Sequence, residues 1–216
     1  MRTRIKICGI TRVADAASAV SFGADAIGLI FYDQSPRVVS LQRAAEIVDS
    51  LPALVQVVGV FVEPNKNEVE AVLRQVRLTL LQFHGSESAE FCNGFGMPYI
   101  KKLRMSDDAD PEIYARSYPQ ARALLLDTYE SERYGGTGSV FSWERGMHCQ
   151  SIPVNIAGGL DAANVSVALS RSGAYAVDVS SGVENSPGKK SVEKIHSFIR
   201  AVRTHDQMLR DKEDAY

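Results

Sequence analysis

The feature that most constrains this 216-residue chain is a repeated form: a short apolar run, a polar turn and an amphipathic stretch, recurring about every 25 residues. The apolar runs fall at residues 5–8, 25–31, 54–62, 78–83, 99–103, 122–127, 152–157 and 175–179. That at 25–31, Asp-Ala-Ile-Gly-Leu-Ile-Phe, is nearly continuous, as in strands covered on both faces of a parallel sheet. Between the runs, apolar residues take helical spacing: Val13, Ala16, Ala17 and Val20; Leu41, Ala44, Ala45 and Val48; Val69, Val72, Leu73 and Val76; Val165, Ala168 and Leu169; Val192, Ile195, Ile199 and Val202. Shorter helices are expected at 86–91, with a serine cap, at 111–118 and around Trp143. Eight strand-then-helix units with right-handed crossovers predict a single closed (β/α)8 barrel of the TIM type, formed by residues 1–204. Residues 205–216 are charged and lack a sustained apolar face, which predicts a frayed end to the last helix.

Composition removes several classes of function. A hydrophobic share of 45% supplies a continuous core, and a net charge of -2 argues against nucleic acid as the main partner. Cys8, Cys92 and Cys149 lack disulfide or metal-ligand spacing, and the four histidines are far apart, so no metal site is expected. Met-Arg-Thr-Arg leads directly into a strand, and no apolar run reaches membrane-span length. The expectation is a soluble cytoplasmic protein without membrane partners, monomeric rather than dimeric.

In such a barrel the loops after the strands share one face, where Cys8, Arg37, His84 and Asp127 would meet. Alternation puts Ile5 and Ile7 on one side of the first strand, and Lys6 and Cys8 on the other. Gly9 then turns the chain, and Thr11 is placed to cap the helix that follows. A helix N-terminus beside Cys8 would favour its thiolate and lower its pKa; the alternative is an inert core cysteine. Asp127 ends a buried strand, an environment that favours a protonated carboxyl and a proton donor, unless it is a cap or half of an ion pair. Arg37 offers a fork for a carboxylate or is a surface charge. His84 can serve substrate hydroxyls or the backbone, and Asp178 can bind hydroxyls or pair with a lysine. Gly158-Gly159 and Ser180-Ser181-Gly182, after the seventh and eighth strands, suit a phosphate held on backbone N–H groups, although each alone would be an ordinary turn. The Gly135-Gly136-Thr137-Gly138 loop lacks the residues of a P-loop and reads as a lid.

Taken in order, Lys6-Ile-Cys8-Gly-Ile-Thr11, Ser35-Pro-Arg37, Leu81-Gln-Phe-His84-Gly85, Leu125-Leu-Asp127-Thr128, Gly135-Gly-Thr-Gly138, Ala157-Gly-Gly-Leu160 and Asp178-Val-Ser-Ser-Gly-Val-Glu184 closely resemble the phosphoribosylanthranilate isomerases. The resemblance implies a cofactor-free Amadori rearrangement of a small phosphoribosyl substrate in tryptophan biosynthesis. It makes Asp127 the general acid and Cys8 the general base, with Arg37 on the anthranilate carboxylate and the two glycine turns on the phosphate. Two positions depart from the family pattern: Ser142 stands where aspartate is usual, and Glu63 where asparagine is usual. The competing readings are a histidine-pathway or dual-specificity phosphoribosyl isomerase, and a non-catalytic phosphosugar-binding barrel. The former carries an aspartate where Cys8 stands and a second phosphate turn, for which no clear counterpart is found here.

Overall fold

A computed structural model describes residues 2–105, 109–127 and 149–213. The glycine-rich loop, Thr128, Ser142 and the helix expected around Trp143 lie outside the described residues. Eight parallel strands close into a barrel in chain order: β1 (Arg4–Cys8), β2 (Ala26–Ile30), β3 (Gln56–Phe61), β4 (Leu80–Phe83), β5 (Tyr99–Arg104), β6 (Ala123–Asp127), β7 (Val154–Ala157) and β8 (Ala176–Val179). The crossovers carry α1 (Val13–Ser21), α2 (Leu41–Asp49), α3 (Lys66–Gln75), α4 (Ala89–Asn93), α5 (Pro111–Ser117) and α6 (Val165–Ser172), and α7 (Val192–Glu213) closes the chain.

Period-two alternation sorts the strand residues into two sets. Ile5, Ile7, Ile27, Leu29, Leu81, Phe83, Leu124, Leu126, Ile156 and Val177 face outward and pack under helix residues such as Ala16, Ala44, Ile47, Val69, Val165, Ile195 and Phe198. The inward set is smaller: Cys8, Val58 and Val60 form one interior cluster, Ile100, Ala123, Leu125 and Ala157 another, and Leu80 touches both. Several other interior positions are polar. Lys6, Gln82, Asn155 and Asp178 are all buried, so the barrel lumen is a charged and amide-lined space capped by apolar layers.

Local chemistry sets the helix starts. Ser40 caps α2, Asn65 and Glu68 form a reciprocal capping box on α3, and Asp110 accepts from two backbone N–H groups ahead of Pro111 in α5. Two expected caps differ. Ser88, not Ser86, caps α4, because Ser86 is engaged by Glu63. Thr11 does not cap α1; its hydroxyl donates to Gly188 O at 2.5 Å, and Arg12 occupies the cap position without a side-chain capping bond, its guanidinium going to Asp15 instead. A hairpin after β8, β9 (Glu184–Ser186) with β10 (Lys189–Lys190), was not foreseen.

The last helix does not fray at residue 205. It runs on to Glu213, with His205 and Asp206 buried, and Asp206 ties it to β1 by accepting from Thr3 N and from Thr3 Oγ1 at 2.6 Å. A charged composition concealed this anchor because the buried partner is an acid bound to backbone rather than an apolar residue.

Candidate active site

At the C-terminal ends of the strands lies a cavity of about 330 Å³ whose wall includes Cys8, Arg37, His84, Asp127, Gly158, Gly159, Asp178, Ser180 and Ser181. Gly182 follows directly and lines the adjoining crevice. A larger cavity, about 620 Å³, opens beside α7 among Thr3, Cys149 and Asp206. Size therefore does not pick out the site; the convergence of acids, cations and glycine turns does.

Cys8 ends β1 facing the lumen, and Gly9 reverses the chain at φ +71. A side chain at Gly9 would also strike Arg37, whose Cδ lies 2.6 Å from the position a Cβ would take. The expected thiolate-favouring helix end is not there: residues 9–12 separate Cys8 from α1. Burial pushes the Cys8 thiol up instead, Lys6 and Lys190 pull the other way, and Asp178 adds to the rise.

Asp127, at the end of β6, is not enclosed by apolar groups as its strand suggested. Its Oδ2 lies 3.1 Å from Lys102 Nζ on the neighbouring β5, and both side chains keep partial access to solvent. Lys102 was not anticipated, although alternation from Ile100, an interior residue, puts it inward.

Arg37 is not a solvated surface charge. Its Nε and Nη2 donate to the two oxygens of Glu184 at 2.8 and 2.7 Å, and Lys190 Nζ donates to Glu184 Oε1 at 2.8 Å. Burial works against the Glu184 carboxylate, yet Arg37 and Lys190 hold it below its usual range. Lys190 also donates to Ser180 O at 3.1 Å, bringing a cation against the turn after β8. Burial lowers the Lys190 ammonium despite Glu184. Glu184 was visible in the sequence at the end of Asp178-Val-Ser-Ser-Gly-Val-Glu184, but its role depends on a hairpin that no periodicity announces.

His84 follows β4, and its Nε2 contacts the Gln82 amide. Burial, then Lys102, Lys6 and Lys101, push the imidazole well below its ordinary value, so it is neutral. Behind it, Glu87 Oε1 accepts from Glu63 N at 2.9 Å and Gly85 N at 3.1 Å, while Glu87 Oε2 pairs with fully buried Lys101 at 2.7 Å. Asp178 pairs with Lys6 at 2.7 Å through Oδ2, both buried. The lysine pair and the hydroxyl reading are thus compatible, because Oδ1 accepts no hydrogen bond among the described residues. The Gly158-Gly159 turn takes φ +84 and +62. Gly182 is a close approach: a Cβ there would lie 1.9 Å from Leu160 O, so the turns after β7 and β8 fit together only around a glycine.

A family model described as N-(5'phosphoribosyl)anthranilate (PRA) isomerase matches residues 5–201. The chain belongs to this family. The isomerase of Pseudomonas paraeruginosa is 50% identical over 201 residues, covering 93% of this chain and 95% of that protein. That of Alcanivorax borkumensis is 47% identical over 208 residues, covering 93% and 95%. Among solved structures, the phosphoribosyl anthranilate isomerase of Thermotoga maritima superposes with a TM-score of 0.83 at 36% identity, covering 94% of this chain and 99% of that one. A phosphoribosyl anthranilate isomerase in complex with reduced 1-(o-carboxyphenylamino)-1-deoxyribulose 5-phosphate gives 0.81 at 35%, with the same coverage. Membership of the isomerase family thus agrees with the closed barrel and with the resemblance carried by the motifs. Glu63, the departure from asparagine, sits at φ +47, a backbone region that asparagine enters more readily than glutamate, and its carboxylate bonds Ser86 Oγ at 2.6 Å.

Proposed function

We propose that this chain isomerises N-(5'-phosphoribosyl)anthranilate to 1-(2-carboxyphenylamino)-1-deoxyribulose 5-phosphate, with Asp127 as general acid and Cys8 as general base. The observation that carries the reading is the single cavity that gathers a carboxyl, a thiol, a guanidinium and the two glycine turns. Asp127 protonates the ribose ring oxygen, the C1'–O bond breaks, and nitrogen lends its electron pair to give the open Schiff base. Cys8 thiolate then removes the C2' proton, and those electrons return towards nitrogen as the enolamine forms. Tautomerisation to the aminoketose restores a proton to C1', so atoms balance as an isomerisation requires.

Lys102 stands beside Asp127, its Nζ 3.1 Å from Oδ2, as a cation at the acid's side of the cavity. Arg37 takes the anthranilate carboxylate, Asp178 and His84 face the sugar hydroxyls, and the turns at Gly158-Gly159 and Ser180-Ser181-Gly182 take the phosphate with Lys190 close behind. Holding both ends of the substrate sets the reacting carbons between acid and base. The same reading carries a monomeric, cytoplasmic enzyme, tested by the mass in solution and by localisation of the tagged protein. Among the described residues no helix is long and apolar enough to cross a membrane.

The test is turnover of freshly generated phosphoribosylanthranilate, followed by anthranilate fluorescence, with the histidine-pathway substrate run in parallel. Cys8→Ala and Asp127→Ala should each lose about 100-fold or more in kcat while keeping the fold. Near-normal turnover in either variant removes that residue from its role. Comparable activity on both substrates would replace the monospecific reading with a dual one.

A further inference from the structure

Burial raises the Cys8 thiol, yet a base must lose its proton to act, and the barrel interior contains a group that answers this conflict. Lys6 lies two residues before Cys8 on the same inward face of β1. Its ammonium is buried, with 6% of the residue exposed, and its Nζ sits 2.7 Å from Asp178 Oδ2. On the neighbouring β2, Gly28 is the register partner of Cys8. A Cβ at Gly28 would lie 2.7 Å from Cys8 Sγ and 3.1 Å from both Cε and Nζ of Lys6. Thiol and ammonium therefore converge on one spot of the wall, and a glycine keeps that spot clear.

The other charged groups around Cys8 are differently engaged. From the loop after β2, Arg37 gives Nε and Nη2 to Glu184, and from β10 Lys190 is bound to the same carboxylate and to Ser180. On β5 and β6, Lys102 is paired with Asp127, and His84 after β4 is neutral. Asp178 on β8 carries the opposing negative charge, with Oδ2 turned to Lys6. Lys6 is the cation placed between the anion of Asp178 and the sulfur.

We propose that Lys6 is a positioning residue that serves as the counter-ion of the Cys8 thiolate, fixed between sulfur and carboxylate by Asp178. When the thiol ionises, its proton leaves to solvent through the open mouth of the cavity, and the thiolate remains beside an ammonium that is already desolvated and already oriented. No reorganisation is needed at that moment, which is the condition under which a buried charge acts most strongly. The catalytic consequence rests on Cys8 being the base; the ionic pairing itself does not.

The two members of the pair act on the thiol with opposite sign, and that separates this arrangement from a purely structural lysine. The experiment measures the rate of Cys8 alkylation by iodoacetamide in the full-length protein from about pH 6 to about pH 10, read by mass spectrometry of the peptide that contains Cys8, so that Cys92 and Cys149 do not contribute. Lys6→Met should raise the midpoint of the profile by about one pH unit or more, a roughly tenfold slower alkylation below the midpoint, and should lower kcat by about tenfold with KM within about threefold. Asp178→Asn, which retains the ammonium and removes the opposing anion, should lower the midpoint. Midpoints that stay in place, or that move in the same direction in both variants, overturn the proposal. Should Lys6→Met fail to fold, Asp178→Asn decides alone: a lowered midpoint supports the pairing, and an unchanged or raised one refutes it. Shifted midpoints together with normal turnover of Cys8→Ala would leave the pairing standing and remove Cys8 as the base.

Discussion

The neutral state of His84 has a consequence for folding that can be measured without substrate. The imidazole follows β4 at the cavity wall, with Lys102, Lys6 and Lys101 all disfavouring its charge after burial has already done so. In the unfolded chain the same side chain titrates near pH 6.5. Below that value the unfolded state takes up a proton that the folded state refuses, so it binds more protons and stability falls as pH falls. The contribution is fully favourable above about pH 6.5 and declines steadily below it, levelling only beneath the depressed folded-state value. Each pH unit below about 6.5 over which only the unfolded chain takes up the proton costs up to about 1.36 kcal/mol, so the loss by about pH 5 is at most about 2 kcal/mol. Urea unfolding at about pH 5 and about pH 7.5, for the native chain and for His84→Asn, isolates the effect. The other three histidines and the carboxylates are common to both proteins and cancel in the difference. The native chain should lose more than the variant across this window, by up to about 2 kcal/mol. Equal losses, or a larger loss in the variant, would mean that His84 accepts a proton inside the barrel and is no neutral hydrogen-bonding group.

Two further perturbations test the supports around the site. Glu184→Gln leaves Arg37 and Lys190 facing an amide where both oxygens now accept from cations; it should cost about 2–4 kcal/mol of stability and raise KM about tenfold with kcat nearly unchanged, and an unchanged KM would detach Glu184 from the placing of Arg37. Asp206→Ala strands Thr3 N and Thr3 Oγ1 in a buried position, so the melting temperature should fall in step with a loss of about 2–3 kcal/mol; an unchanged melting temperature would mean that α7 beyond residue 204 is not part of the barrel's closure.

The barrel was legible because its signal is redundant. Eight apolar runs and the helical spacings between them point to one topology, and misplacing a cap at Ser86 or Thr11 does not alter it. The site residues were legible because they stand at strand ends, where the fold itself gathers them. Their electrostatics were not, because a pKa is set by groups distant in sequence. In sequence the N-terminus of α1 is the nearest partner for Cys8, yet Lys6 and Asp178 are the charges beside it, and Asp178 comes from the last strand. Arg37 could be read as a carboxylate fork or as a surface charge, and the deciding residue, Glu184, reaches it from 147 positions away. The sequence marks which residues arrive at the mouth, while packing decides which of them meet.

The consecutive lysines 101 and 102 show how closely the two faces of one strand are tied to the chemistry. Lys101 points outward and is fully buried under α4 and α5, where Glu87 and Gly85 O receive it and Tyr118 lies 5.5 Å from its ammonium. That pair locks the turn at Gly85, and through it the position of His84. Lys102 points inward to Asp127. A slip of β5 by one residue would exchange them, placing an unpaired ammonium beneath the helices and withdrawing the cation from Asp127. The outer pair is costly to bury, and its carboxylate must also satisfy the backbone at Glu63 and Gly85, so the wrong register leaves several polar groups without partners at once. Register in β5, where two lysines interrupt the apolar run, is therefore set by charge pairing together with the alternation of Tyr99 and Leu103 against Ile100, and the same pairing delivers Lys102 to the acid.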